Sequence, residues 1–104
     1  MSMVVMHSEV PIDPAFREAA MELMAWMAAE SRAENGVIDY RVTADIEDPN
    51  TLRIIEQYED DEAARSHESS EHLDEFQERI GPCLADDATL YRFDVVEKTK
   101  QPGP

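Results

Sequence analysis

Hydrophobic and polar positions alternate in four short stretches and recur at helical spacing in two longer ones, in the order strand, helix, strand, strand, helix, strand. The opening stretch, from Met3 to Glu9 or Val10, is apolar and partly β-branched at Met3-Val4-Val5-Met6, which predicts a strand whose hydrogen bonding ends at Pro11. Asp13-Pro14 then has the chemistry of a helix start. Asp13 offers an N-cap carboxylate, and Pro14 fits the first helical position, where an N–H would find no intrahelical partner. Phe16, Ala20, Leu23 and Met27 follow at helical spacing, over about 20 residues or roughly 30 Å, until Asn35-Gly36 supplies a C-cap pair.

From Val37 to Asp45, Ile38, Tyr40, Val42 and Ala44 alternate with Asp39, Arg41, Thr43 and Asp45, the period expected of a second strand. Asp48-Pro49-Asn50 carries turn chemistry and joins it, as an antiparallel hairpin, to a third strand. In that strand Leu52, Ile54, Glu56 and Tyr58 share one face, so a carboxylate sits among apolar neighbours. Asp60 and Asp61 cap a helix reaching Ser69, and Ser70 caps a second one whose apolar stripe is Leu73, Phe76 and Ile80. His67 and His72 bracket the break between them. Gly81-Pro82 ends this segment, and Thr89 to Val95 forms the last strand, with Tyr91, Phe93 and Val95 on one face.

The order βαββαβ predicts a ferredoxin-like α+β fold: one domain over residues 1–97, with helices covering one face of an antiparallel sheet. Residues 98–104 read as a tail, placed as an arm on a partner subunit. Ile55 and Leu90 point away from their strands' more apolar faces, which leaves the uncovered face mixed in character. Pairing two sheets in a homodimer would shield it.

Composition narrows the partners. With 24 acidic against 9 basic residues the formal net charge is -15, which opposes contact with nucleic acid and with anionic membranes. Hydrophobic residues still make up 42% of the chain, enough for a packed core rather than a disordered polyanion. Only Lys98 and Lys100 are lysines, and acidic, lysine-poor surfaces are typical of halophilic proteins, in which high salt screens self-repulsion. A single cysteine, Cys83, excludes an intramolecular disulfide and has no adjacent base. No export signal is recognisable, so a cytoplasmic location is expected. The longest apolar-rich run, Ala19 to Ala29, is interrupted by Glu22 and too short for a bilayer.

The chain resembles the antibiotic biosynthesis monooxygenase domain family, which includes quinol and polyketide monooxygenases. The resemblance rests on the opening strand to Val10, on Glu34-Asn35-Gly36 followed by Tyr40, and above all on Ile55-Glu56-Gln57-Tyr58 with Ala63, His67, Ser70, His72 and Phe76. It implies a dimeric α+β barrel with a mostly apolar pocket in each subunit, and oxidation of an electron-rich aromatic substrate by molecular oxygen without a bound metal or flavin. The family also contains an isomerase acting on a phosphorylated sugar and enzymes that degrade haem. By alignment the tryptophan, axial histidine and asparagine of the haem-degrading branch fall on His67, about Gln77 and Met6, so none is retained.

Oxidation without a cofactor needs a base to make a phenol or quinol anionic, and apolar room for oxygen. His67 is the first candidate, because a neutral imidazole can take the hydroxyl proton near neutral pH. Glu56 is the second, since burial on an apolar face should raise its pKa and leave it a base or a protonated donor. The structural alternatives are a Glu56 bonded to the split helix or paired with Arg41 or Arg92, and a His67 that caps a backbone carbonyl. Tyr40, Tyr58, His72 and Phe76 are the candidate substrate contacts, with core packing the alternative for the tyrosines. The methionines and Trp26 of the first helix read mainly as packing. A metal set of His7, His67 and His72 with Glu56 matches no zinc spacing and would need ligands from separate elements, so neither metal nor cofactor is expected. Two rival functions stay open. One is proton-moving isomerisation, whose phosphorylated substrate would call for a basic pocket from Arg41, Arg53 or Arg92. The other is a non-enzymatic small-ligand-binding or stress-response module.

Overall fold

The computed structural model describes residues 2–104. Its elements are β1 (Met3–Pro11), α1 (Arg17–Arg32), β2 (Val37–Ala44), β3 (Thr51–Tyr58), α2 (Asp61–Glu68), α3 (Glu71–Ile80) and β4 (Thr89–Val95), with short 3-10 turns at Pro14–Phe16 and Gly81–Cys83. The four strands form one antiparallel sheet in the order β2-β3-β1-β4, the arrangement of a ferredoxin-like α+β fold. Among the described residues no helix is long and apolar enough to cross a membrane.

The helix starts follow the capping chemistry. Asp13 accepts a hydrogen bond from the Ala15 N–H (2.9 Å), and the first turn runs as a 3-10 helix into α1. Asp60 does the same for the Ala63 N–H (2.9 Å) at the start of α2. Ser70 holds the break between α2 and α3 from both sides: its hydroxyl accepts from the Leu73 N–H (3.3 Å) and donates to the His67 carbonyl (2.6 Å). Removing such a cap costs about 0.5–2 kcal/mol.

The core lies between the helices and the sheet. Leu23, Met24 and Met27 of α1 pack with Leu52 and Ile54 of β3 and with Phe76 and Ile80 of α3. Each such side chain contributes about 1.5–3 kcal/mol through apolar burial. A smaller cluster joins Val4, Met6 and Tyr58 to Ala63 and Ala64, whose short side chains let α2 sit close to the sheet. Trp26 is partly buried, with the Arg79 guanidinium 5.8 Å from its ring centre, and the exposed Met21 stands apart from the buried Met24 and Met27. Cys83 is a buried free thiol.

Four details differ from the sequence expectations. β1 continues through Pro11, because the proline lies at the strand's end and its carbonyl still accepts from the Ala85 N–H (3.0 Å). α1 ends at Arg32, a turn earlier than Asn35-Gly36, and a Ser31–Glu34 turn links it to Gly36 at φ +82°. In β2 the register shifts between Val37 and Asp39; Val37 packs into the core while Ile38 is 45% exposed rather than sharing the face of Tyr40. In β4 it is Leu90 that faces the helices, paired beside buried Ser8, whereas Tyr91, Phe93 and Val95 lie on the uncovered face with Ile55. The tail has no regular structure, and Lys98 reaches back to Gln57 on β3 (2.9 Å).

Candidate active site

Glu56 stands in the middle of the sheet, level with Tyr40 on β2 and Met6 on β1, and is 4% exposed. Strand alternation puts it there: Leu52, Ile54 and Tyr58 face the same way, and all are buried. The Tyr58 hydroxyl donates to Glu56 Oε1. Burial pushes the Glu56 pKa above the usual carboxylate range, an effect reduced by the Tyr58 hydrogen bond and by His67. Burial, and then the nearby Glu56 charge, raise both the Tyr40 and Tyr58 hydroxyls above the ordinary phenol range. Both tyrosines therefore act as protonated groups, not as bases. None of the arginines weighed as a partner reaches Glu56: Arg41 pairs with Asp39 (2.9 Å), and Arg92 with Asp61 (2.6 Å) and Asp94 (3.0 Å).

His67 leaves the last turn of α2 pointing inward, its side chain 4% exposed and flanked by the rings of Tyr40 (5.7 Å between centres) and Tyr58 (5.5 Å). Its ring does not cap a backbone carbonyl. Nδ1 instead lies 2.9 Å from Glu34 Oε2, and Nε2 faces Glu56 Oε1 at 3.7 Å, longer than a hydrogen bond. A carboxylate can only accept, so Nδ1–H is the donor, and in a neutral ring Nε2 keeps its lone pair. His72, in the first turn of α3, donates from Nε2 to the same Glu34 oxygen. The result is a continuous polar line from Tyr58 through Glu56, His67 and Glu34 to His72, laid across the join of two helices and the sheet.

Glu34 was absent from the candidate site residues drawn from the sequence. It sits in the turn after α1, where its N–H donates to the Ser31 carbonyl (3.1 Å), two residues before Gly36. Gly36 is required twice over: its φ of +82° lies in the left-handed region, and an added Cβ would come within 2.6 Å of Ala63 Cβ. The Gly36 carbonyl accepts from the Glu59 N–H (2.8 Å), which ties the turn to the end of β3 and brings Glu34 to the helix break.

Glu56 and His67 form part of the wall of a cavity of about 400 Å³ between the sheet and α3. Met6, Val10, Ile54, Leu73, Ile80 and Leu90 make most of that wall apolar. Of the candidate substrate contacts, Tyr40 and Phe76 line it, whereas Tyr58 lies behind Glu56 and His72 is directed to Glu34. Met6, Ser8 and Ile54 could have been found from strand alternation; Glu34 stood out only within the Glu34-Asn35-Gly36 anchor of the resemblance, not as a site residue. His7 lies on the uncovered face against Phe93 (5.3 Å between ring centres), away from the other two histidines. A second cavity of about 340 Å³ between α1 and β2 is lined by no acid or histidine.

The class defined by this fold and site is a small ferredoxin-like α+β protein with an acid–histidine pair set into an apolar cavity. The chain belongs to the antibiotic biosynthesis monooxygenase family, whose sequence model matches residues 3–79. Among solved structures it is similar to a conserved protein from Methanosarcina mazei, at 23% identity and a TM-score of 0.87, over 91% of this chain and 94% of that one. Rv0793 from Mycobacterium tuberculosis matches at 21% identity and a TM-score of 0.88, over 95% and 100% of the two chains. PA3566 from Pseudomonas aeruginosa matches at 24% and 0.83, over 93% and 97%. Likeness at these identities carries the fold alone. No curated protein sequence matches.

Proposed function

We propose that this chain is a cofactor-independent monooxygenase of small aromatic, quinol-type substrates, with His67 as the base. The observation that carries the reading is the orientation of His67: Glu34 holds Nδ1–H, so the lone pair of Nε2 stands beside Glu56 at an apolar cavity. Nε2 takes a hydroxyl proton from the bound quinol, and the electron-rich anion reacts with oxygen. The quinol supplies all the electrons: one oxygen atom enters the ring, the other leaves as water with the two hydrogens lost, and the product is a hydroxyquinone. Glu34 is a positioning residue in this scheme. Glu56, held toward its protonated form by burial, can donate to a substrate oxygen.

Oxygen uptake with a panel of quinols at high salt tests the proposal. His67→Ala should lower the rate about 10²–10⁴-fold, the usual contribution of a positioned base. Uptake no faster than in protein-free buffer across the panel would overturn it. The isomerase reading is less well supported, because none of the arginines that could hold a phosphate lines the cavity, and Arg53 is tied to Glu9 (2.7 Å) and Asp45 (3.0 Å). Turnover without oxygen would favour it instead.

The proposal includes a homodimer. Tyr91 (53% exposed), Phe93 (48%) and Ile55 (36%) lie together on the uncovered face, and a second copy of the same face can cover them without needing a charge complement. A net charge of -15 on each copy opposes the association, so added salt should strengthen it. Light scattering across a salt series is the check, and a monomer at every salt concentration would count against it.

A further inference from the structure

The polar line has a second use that goes beyond oxidation. Glu34, His67 and His72 come from three different elements, yet their ligating atoms all lie within 4.8 Å of one another. Two imidazole nitrogens converge on one carboxylate oxygen, with Nδ1 of His67 at 2.9 Å from it. Donors sharing a zinc-like ion at about 2.0–2.2 Å stand roughly 3–4 Å apart. The three atoms are already gathered near that spacing, and each histidine nitrogen would have to draw back from the Glu34 oxygen by up to about an ångström. His72 and Glu34 are 19% and 15% exposed, which leaves a way in from solvent. The charge is also suited: one carboxylate and two neutral imidazoles make a donor set for zinc and its first-row neighbours, not for calcium or magnesium.

We propose that Glu34 Oε2, His67 Nδ1 and His72 Nε2 form a binding site for a divalent first-row transition-metal ion. The surroundings of His67 give it an independent observation. A histidine that ligates through one nitrogen usually donates its other N–H to a carboxylate, and the carboxyl oxygen facing His67 Nε2, 3.7 Å away, belongs to Glu56. Metal on Nδ1 moves the ring proton to Nε2. The nitrogen that would serve as base then carries the proton and has no lone pair to offer, so metal binding and proton abstraction by His67 are alternative states of one imidazole. Sequence reasoning weighed His67 and His72 as ligands only together with His7 and Glu56, and missed Glu34, which lies 33 residues before His67.

The test is titration of Co²⁺ into chelator-treated full-length protein at high NaCl, which suppresses loose binding to the acidic surface. Saturable uptake of one Co²⁺ per chain, visible absorption from a nitrogen- and oxygen-ligated ion, and displacement by Zn²⁺ are expected. His72→Gln and Glu34→Gln should each weaken Co²⁺ by at least the 10–100-fold that loss of an outer hydrogen-bond partner costs. His7→Gln, on the other face, should leave the affinity unchanged. Histidine ¹⁵N spectra with Zn²⁺ should show His67 passing from its Nδ1–H to its Nε2–H form. Far-ultraviolet circular dichroism verifies folding, and the partly exposed position of His72 keeps the test available should Glu34→Gln unfold. Absence of saturable binding, or equal affinity in His72→Gln and wild type, would overturn the site. None of these readouts depends on oxygen consumption, so they stand or fall separately from the proposed oxidation.

Discussion

The two faces of the sheet each hold an exception to the usual rule for where polar and apolar side chains go. On the face covered by helices, Glu56 and His67 are 4% and 3% exposed. On the open face, Tyr91 and Phe93 are about half exposed, at 53% and 48%. What separates them is not hydrophobicity but what lies above them. Under α2 and α3 a buried acid is tolerated because Tyr58 donates to it and the His67 ring stands beside it. On the open face nothing within the chain covers the rings, and an apolar surface of that kind is stable in water only at a cost in hydration. The covered face thus carries the proposed site, and the open face the rings that the proposed dimer would cover.

The difference is broken most directly by removing an aromatic ring from each face. Tyr58→Ala should lower the folding free energy by about 3–5 kcal/mol, because the ring is wholly buried and its loss also strips Glu56 of its donor. Phe93→Ala should shift the stability of the isolated chain far less, by about 1 kcal/mol or under. Chemical denaturation of the two variants at low protein concentration makes the comparison, and equal losses would show that the open face is as well packed as the covered one. A charge placed on the open face sharpens it next. Phe93→Asp should weaken the proposed dimer by about 2 kcal/mol or more, roughly thirtyfold, while leaving the proposed turnover per folded chain, read by oxygen uptake, unchanged. Sedimentation over a concentration series reads the first effect.

Glu56→Gln probes the covered face through pH. The folded-state pKa of Glu56 lies above its unfolded value, so its contribution to stability is fully present below the ordinary glutamate range and is lost as pH rises through the raised folded value. The glutamine variant lacks that dependence. Its stability relative to wild type should therefore grow as pH rises from the ordinary range and level off above the folded value, followed by thermal melts at constant salt. A relative stability that falls with pH would mean that Glu56 is held ionised in the folded chain. The smallest effect should come from the exposed ion pairs on either face. Arg92→Gln on the helix side and Arg53→Gln on the open side should leave the melting midpoint within experimental scatter, since solvent and salt screen both pairs.

Most of the fold was legible because it is written in local chemistry. Asp13, Asp60 and Ser70 cap the helices, and Leu52, Ile54, Glu56 and Tyr58 alternate as a strand must. The misread details are positions where a local rule meets a neighbouring strand. Ile38 is displaced by a register shift against β3, and the inward side of β4 is set by its pairing with β1 rather than by its own more apolar face. The site divides the same way. Glu56 and His67 were visible as an acid on an apolar strand face and a histidine at a helix break, and Tyr40 and Phe76 as large side chains aimed toward the cavity they line.

Glu34 was not visible as a site residue. It lies beyond the helix in a turn without periodicity, and only the left-handed Gly36, held against Ala63, folds that turn back onto the helix break. The sequence by itself determined the order of elements, the helix ends and the inward direction of Glu56, because periodicity and capping act within a few residues. Tertiary structure alone decided that Glu34 meets His67 and His72, and hence which imidazole nitrogen keeps its lone pair. Such a meeting depends on how distant turns close over the sheet, and no local pattern along the chain encodes the distance between them.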